Sequence, residues 1–256
     1  MNRKTFQALL VRDIRVLLRN YPDFILRIGV NPIFLAFIFG FVLPKTGGIP
    51  ESFANIIFPG ILGLSIISAG VQGTAIPLAW DFGATREIDD RLMAPINTIW
   101  VLVEKIIFGT FQSLAAGIIV FPVAYFLMRD NLNIELTSIP LFIVVILLSS
   151  FISASLGMVM GTIFEPMRFA IMFATIIIPM IFLGATYYPW AMLSNIPWLK
   201  WAILVNPLLY INEAYRAILT PFVPHMNILF SLLGLVVSLL ILLYVAKIGF
   251  EKRAFN

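Results

Sequence analysis

Asp81-Phe-Gly-Ala-Thr-Arg86-Glu87-Ile88-Asp89-Asp90-Arg91-Leu92-Met-Ala-Pro95 is the densest run of charge in a chain that is otherwise nearly all apolar. Long apolar runs flank it on both sides, each able to cross a bilayer. A central Asp or Arg costs about 2.5–3.5 kcal/mol even on insertion scales, so the stretch cannot lie in hydrocarbon. It must emerge into water or onto another protein. That requirement fixes the chain's class, because the flanking runs must then be membrane spans.

Composition agrees. The 256 residues are 61% hydrophobic and 12% charged, with a mean hydropathy of +1.00, whereas a soluble domain carries about 25% charged residues. The reading is a polytopic all-α membrane protein. A net charge of +4 is too small to imply nucleic acid. With no Cys, disulfide, zinc and iron–sulfur sites are excluded, and a lone His225 rules out a His-based metal site. Arg12, Asp13, Arg15 and Arg19 interrupt any signal-peptide core.

Residues 2–20 read as an amphipathic helix lying at the membrane surface. Phe6, Leu10, Ile14 and Leu17 share one face, and Arg12, Arg15 and Arg19 the other. Asp13 falls on the apolar side and needs a basic partner elsewhere. Six spans follow at about twenty apolar residues each, at 24–43, 55–80, 98–128, 138–164, 168–187 and 227–246. Glu104 and Lys105 lie in the first turns of the third, near the interface. Residues 188–224 hold two short apolar stretches punctuated by Pro189, Pro197, Pro207, Pro221 and Pro224. They read as a pair of short re-entrant or surface helices, broken at Asn206-Pro207, with Glu213 interfacial. Tyr187, Tyr188, Trp190, Trp198 and Trp201 form an aromatic belt.

Six spans with both termini cytoplasmic leave only Lys45, Arg129, Lys200 and Arg216 outside, so thirteen of the 17 Lys and Arg are inside. A seventh span through 202–222 would put Lys247, Lys252 and Arg253 outside. The charged island is therefore expected in the cytoplasm, and the proline-rich stretch on the far side.

Within the spans, Ser149, Ser153, Gly157 and Gly161 make a strict i+4 ladder for a close helix–helix seam. Ser65, Ser68 and Gln72 form a polar stripe on the second span, a candidate translocation path or equally a packing seam. No span carries a strong charge near its centre, which argues against an ion-coupled mechanism or a charged channel ring. No phosphate-binding glycine loop and no Cys or His nucleophile pair occurs, so energy for any transport must come from another chain.

The order of motifs resembles the ABC-2 type permeases, the membrane subunits of exporters in the daunorubicin-exporter and nodulation-protein-J-like group. Phe58-Pro-Gly-Ile61 opens the second span as in that family. Arg86-Glu87 through Leu92 and Ala94-Pro95 is similar to its cytoplasmic segment. Leu183-Gly184 through Tyr188-Pro189 is similar to its segment closing span five, with Leu183 where Ser is common. Asn206-Pro207-Leu208, Glu213 and Arg216 match the run before the last span. The resemblance implies six spans, an N-terminal interface helix, a coupling helix after span two and two re-entrant helices.

It also implies two permease subunits, taken as identical, in a plasma (bacterial or archaeal inner) membrane. Two copies of an ATP-binding cassette subunit would carry ATP and Mg; this chain itself carries no cofactor. The dimer's central channel would move lipids, lipid-linked glycans or drugs outward. The coupling helix would be 86–93, formed by Arg86, Glu87, Ile88, Asp89, Asp90, Arg91 and Leu92. Glu87 and Arg91 at i, i+4 support it by about 0.2–0.5 kcal/mol, and Ile88 and Leu92 offer an apolar ridge. Two competing readings are an ion-coupled transporter or channel without an ATPase, and a lipid-modifying enzyme using Glu213, Arg216 and His225.

Overall fold

A computed structural model describes residues 3–83 and 98–254. The described chain is helical, with no strand among those residues. Helix α1 (Arg3–Arg19) is amphipathic as read: Phe6, Leu10, Ile14 and Leu17 are half-buried, and Arg12, Arg15 and Arg19 are exposed. Among the described residues, five helices are long and apolar enough to cross a membrane: α2 (Tyr21–Lys45), α3 (Phe53–Phe82), α4 (Ile99–Met128), α5 (Ile139–Ile163) and α9 (Ile228–Ala254). Shorter helices lie between the last two of these, α6 (Phe169–Leu183), α7 (Pro197–Ala202) and α8 (Pro207–Leu219).

Helix α3 is the axis of the bundle. In its most apolar stretch 89% of residues are buried, against 50% for α4, 44% for α5, 28% for α2 and 11% for α9, so α3 faces protein while α2 and α9 lie on the outside of the bundle. It carries Pro59 and Pro77 in its interior, which spans tolerate because neighbouring helices re-satisfy the freed carbonyls. Close approach is set by small residues. The expected seam is present: a Cβ on Gly157 or Gly161 would sit 2.9–3.0 Å from the backbone of α3 at Gly70, Val71 and Ala75. Ser153 from the same ladder hydrogen-bonds Ser113 of α4 at 2.7 Å. Hydrophobicity gives helices no reason to associate in lipid, so this packing and these hydroxyls hold the centre.

The fifth expected span is shorter than its apolar run. Helix α6 has fifteen residues, about 22 Å at 1.5 Å each, less than the ~30 Å hydrocarbon core. It stops at Gly184, and Ala185 then adopts a positive φ of 56°. The unravelled end is used. Its carbonyls at Met180, Ile181, Phe182, Gly184 and Ala185 accept bonds from Asn206, Thr186, Tyr188, Asn212 and Arg216 respectively. A helix end normally leaves four such acceptors orphaned; here side chains from the following segment take them up.

The proline-rich segment forms the two short pieces expected, a 3₁₀ turn with α7, then α8. Asn206 caps α8 by accepting from Leu208 N at 3.0 Å, and Pro207 occupies its first turn. The connection between α4 and α5 runs extended past the other end of α8. Glu135 N and Thr137 N donate to the carbonyls of Leu219 and Ile218 at 3.0 and 3.1 Å.

Candidate functional site

Two clusters of buried charge lie at opposite ends of α3. The first gathers the sequence motifs of the proline-rich segment. Glu213 and Arg216, one turn apart on α8, are both completely buried and paired. Glu213 Oε1 also accepts from Trp190 N at 2.9 Å, and Oε2 from Met226 N at 2.6 Å. Arg216 Nη2 donates to Ala185 O at 2.9 Å and to Ile56 O at 3.2 Å. Next to them, Asn212 Nδ2 reaches Gly184 O at 2.7 Å and Thr186 Oγ1 at 3.1 Å. One pair of side chains thereby ties the start of α3, the end of α6, the turn after Pro189 and the start of α9. Gly60 and Gly63 make room on α3, where a Cβ would overlap the Thr186 backbone and Asn212.

The sequence reading placed Glu213 at the membrane interface; the structure instead encloses it in protein. Both carboxylate oxygens are occupied and no part reaches solvent, so Glu213 cannot approach a substrate as an acid or base. His225 is half-buried and its Nδ1 lies 2.9 Å from Met226 O. Gly184, Tyr188, Pro189, Asn206, Pro207, Glu213 and Arg216 are thus brought together, as a structural lock. Asn212, Thr186 and Ala185 belong to it and were not singled out. The polar pair Asn206 and Asn212 on a short apolar helix was the available signal.

The second cluster lies where the charged island leaves α3. Lys105 of α4 is 3% exposed and bonds Asp13 of α1 at 3.1 Å and Asp81 of α3 at 2.9 Å. Asp13 was expected to need a basic partner from its place on the apolar face, and Lys105 supplies it. Sequence distance, 92 residues, hid which base it would be. Phe6 packs edge-on against Trp100 at 6.0 Å, so α1 is held along α4 by both an ion bridge and a ring contact. Glu104, completely buried beside Lys105, is likewise inside the protein. The base of α5 is closed by Arg253 of α9, whose Nη1 donates to the carbonyls of Gly161, Thr162 and Phe164 at 2.9–3.2 Å.

Of the island, only Asp81, Phe82 and Gly83 are among the described residues; Arg86, Glu87, Ile88, Asp89, Asp90, Arg91 and Leu92 lie outside them. In the polar stripe of α3, Ser65 is buried and donates to its own helix at Leu62 O (2.7 Å), whereas Ser68 and Gln72 are half-buried.

The sequence model of the ABC-2 type transporter family matches residues 4–220. The chain belongs to that family. The match runs from α1 through α8 and so includes both buried clusters. No curated protein sequence gives a significant match. The chain is therefore a multi-pass integral membrane protein and a permease component of an ABC-type transporter, a transport subunit and not itself the catalyst of ATP hydrolysis.

Proposed function

We propose that this permease is the membrane half of an ATP-driven exporter. Two copies of a separate ATP-binding cassette subunit dock on the charged island at 86–93 and carry the ATP and Mg. The observation that supports this most is the ion bridge Asp13–Lys105–Asp81. It joins the root of the island to two further helices, one of them the surface helix α1. A push on the island would then move α1, α3 and α4 together instead of bending a loop. The end of the bundle that carries α1 is cytoplasmic in this reading, as are both termini, with the lock around Glu213 and Arg216 on the outer side of a plasma membrane. Charge bias supports that orientation.

The exposed apolar faces of α2 and α9 leave surface on which a second, identical permease chain can pack across a shared path. Within that reading Ser68 and Gln72 can line the path, and Ser65 backs it from inside the packing. Lining of hydroxyl and amide groups fits an amphipathic cargo such as a lipid, a lipid-linked glycan or a drug. Nucleotide state would shift the equilibrium between two arrangements of the bundle only through contacts that differ between them, which puts the work at the island. Reversing both charges, Glu87→Lys with Arg91→Glu, is expected to abolish ATP-driven transport and cassette co-purification while membrane insertion persists. Normal transport and normal co-purification in that double variant would overturn the reading.

A further inference from the structure

A cavity of about 480 Å³ opens beside the ion bridge, between α1, α2, α3 and α4. Its charged lining is Arg12, Asp13, Asp23, Arg27, Asp81 and Lys105. Two of these decide its chemistry. Arg27 is the seventh residue of α2, about 9 Å along the span. An arginine at that depth is expensive in lipid and by default marks a polar path or ligand. Its guanidinium is positioned from behind: Nη2 donates to Gln112 Oε1 at 3.1 Å, and Gln112 Nε2 donates to Gly73 O at 3.2 Å. Gly73 permits this, since a Cβ there would lie 2.6 Å from Gln112 Oε1. Among the described residues that is the only hydrogen bond Arg27 makes, out of five donors.

Asp23 lies one turn earlier on α2, exposed, and lines the same cavity. Lys105, by contrast, is already enclosed by two carboxylates. The space therefore presents a positive group and a negative group side by side. Val16, Leu17, Phe24 and Phe108 complete an apolar wall. The volume is within the usual range for a bound small molecule, about 300–1,000 Å³.

We infer that this cavity binds a zwitterionic phospholipid headgroup. Its phosphate is held by the Arg27 guanidinium, whose fork matches phosphate oxygens, and its ammonium by Asp23. The glycerol end and first methylenes lie on the apolar wall. A headgroup of this chemistry could be that of a resident bilayer lipid or of an amphiphilic cargo; assigning it to cargo rests on the exporter reading.

The test uses the purified permease alone, without ATPase or ATP, so that a failed site and a failed exporter reading are told apart. Mixed micelles carry equal amounts of phosphatidylethanolamine, phosphatidylglycerol and diacylglycerol, and retained lipid is read by native mass spectrometry. Phosphatidylethanolamine should be retained roughly tenfold over diacylglycerol. Arg27→Gln should remove that preference, Arg27→Lys should keep part of it, and Asp23→Asn should level phosphatidylethanolamine with phosphatidylglycerol. All variants are compared at equal monodispersity and melting temperature. Equal lipid retention by wild type and Arg27→Gln, or equal retention of diacylglycerol, would overturn the site. Adding the cassette subunit and ATP in proteoliposomes then separates the sources, and both outcomes uphold the site: discharge of labelled lipid identifies cargo, and persistent occupancy identifies a resident lipid.

Discussion

The two buried charge clusters sit roughly 37 Å apart along α3, and they differ in how they are closed. The Glu213–Arg216 lock is one acid with one base, wholly buried, with both carboxylate oxygens and the Nη atoms bound to groups inside the protein. Among the described residues, Lys105 lies between two acids, Asp13 and Asp81; this cluster borders a cavity and stands at the foot of the island. A sealed neutral pair in low dielectric has few other arrangements available to it, since any break strands a charge. A cluster that borders a cavity has room beside it for water or a ligand. One end of the bundle is thus closed on itself, and the other borders an open cavity.

Breaking the lock should give the largest effect. Arg216→Met strands Glu213 and should cost about 3–5 kcal/mol, read as a large fall in melting temperature and in yield of folded protein. Glu213→Gln combined with Arg216→Met should recover part of it, because glutamine's one carbonyl oxygen still accepts from one of the two backbone N–H groups. Glu213→Leu with Arg216→Met should recover less, because the amides of Trp190 and Met226 lose their acceptor. If all three variants melt alike, the lock is not what closes that end.

Lys105→Met should cost less, about 1–3 kcal/mol, since Asp13 and Asp81, although buried, keep a small exposure and border the cavity, whereas Glu213 is fully enclosed. Its signature is local. Amides of α1 should exchange hydrogen faster, while those of α8 remain as protected as in wild type. Arg216→Met should show the reverse pattern. Faster exchange spread evenly over both ends in either variant would erase the distinction drawn between them. The smallest effect belongs to His225→Ala, expected within about 0.5 kcal/mol of wild type in a melting experiment. A large loss of transport with a normal melt would return His225 to the list of functional residues.

Much of this was legible in the residues. The Asp81–Pro95 charge between apolar runs required a polytopic chain, and the i+4 ladder Ser149–Gly161 predicted a close helix–helix seam, though not that its partner is α3. The misplacement of Asp13 on an apolar face predicted a basic partner elsewhere in the chain, though not that the pair is buried. Less legible was the length of α6: an apolar run of twenty residues says how much chain prefers lipid, not where the helix stops. It stops at Gly184 because Asn206, Asn212 and Arg216, 22 to 32 residues later, take its carbonyls. Nor could Glu213 be placed, because an acid with a base one turn away reads the same whether solvated at an interface or enclosed.

The sequence by itself determined the solvent of each segment, because transfer free energy is a property of residues and adds along the chain. Spans, surface helix, island and family follow from that and from motif order. Only the tertiary structure decided which charges meet. Lys105 joins Asp13 across 92 residues, and Arg216 reaches Ile56 across 160. Such pairings depend on how helices cross and how closely glycines let them approach, and no local pattern carries that geometry.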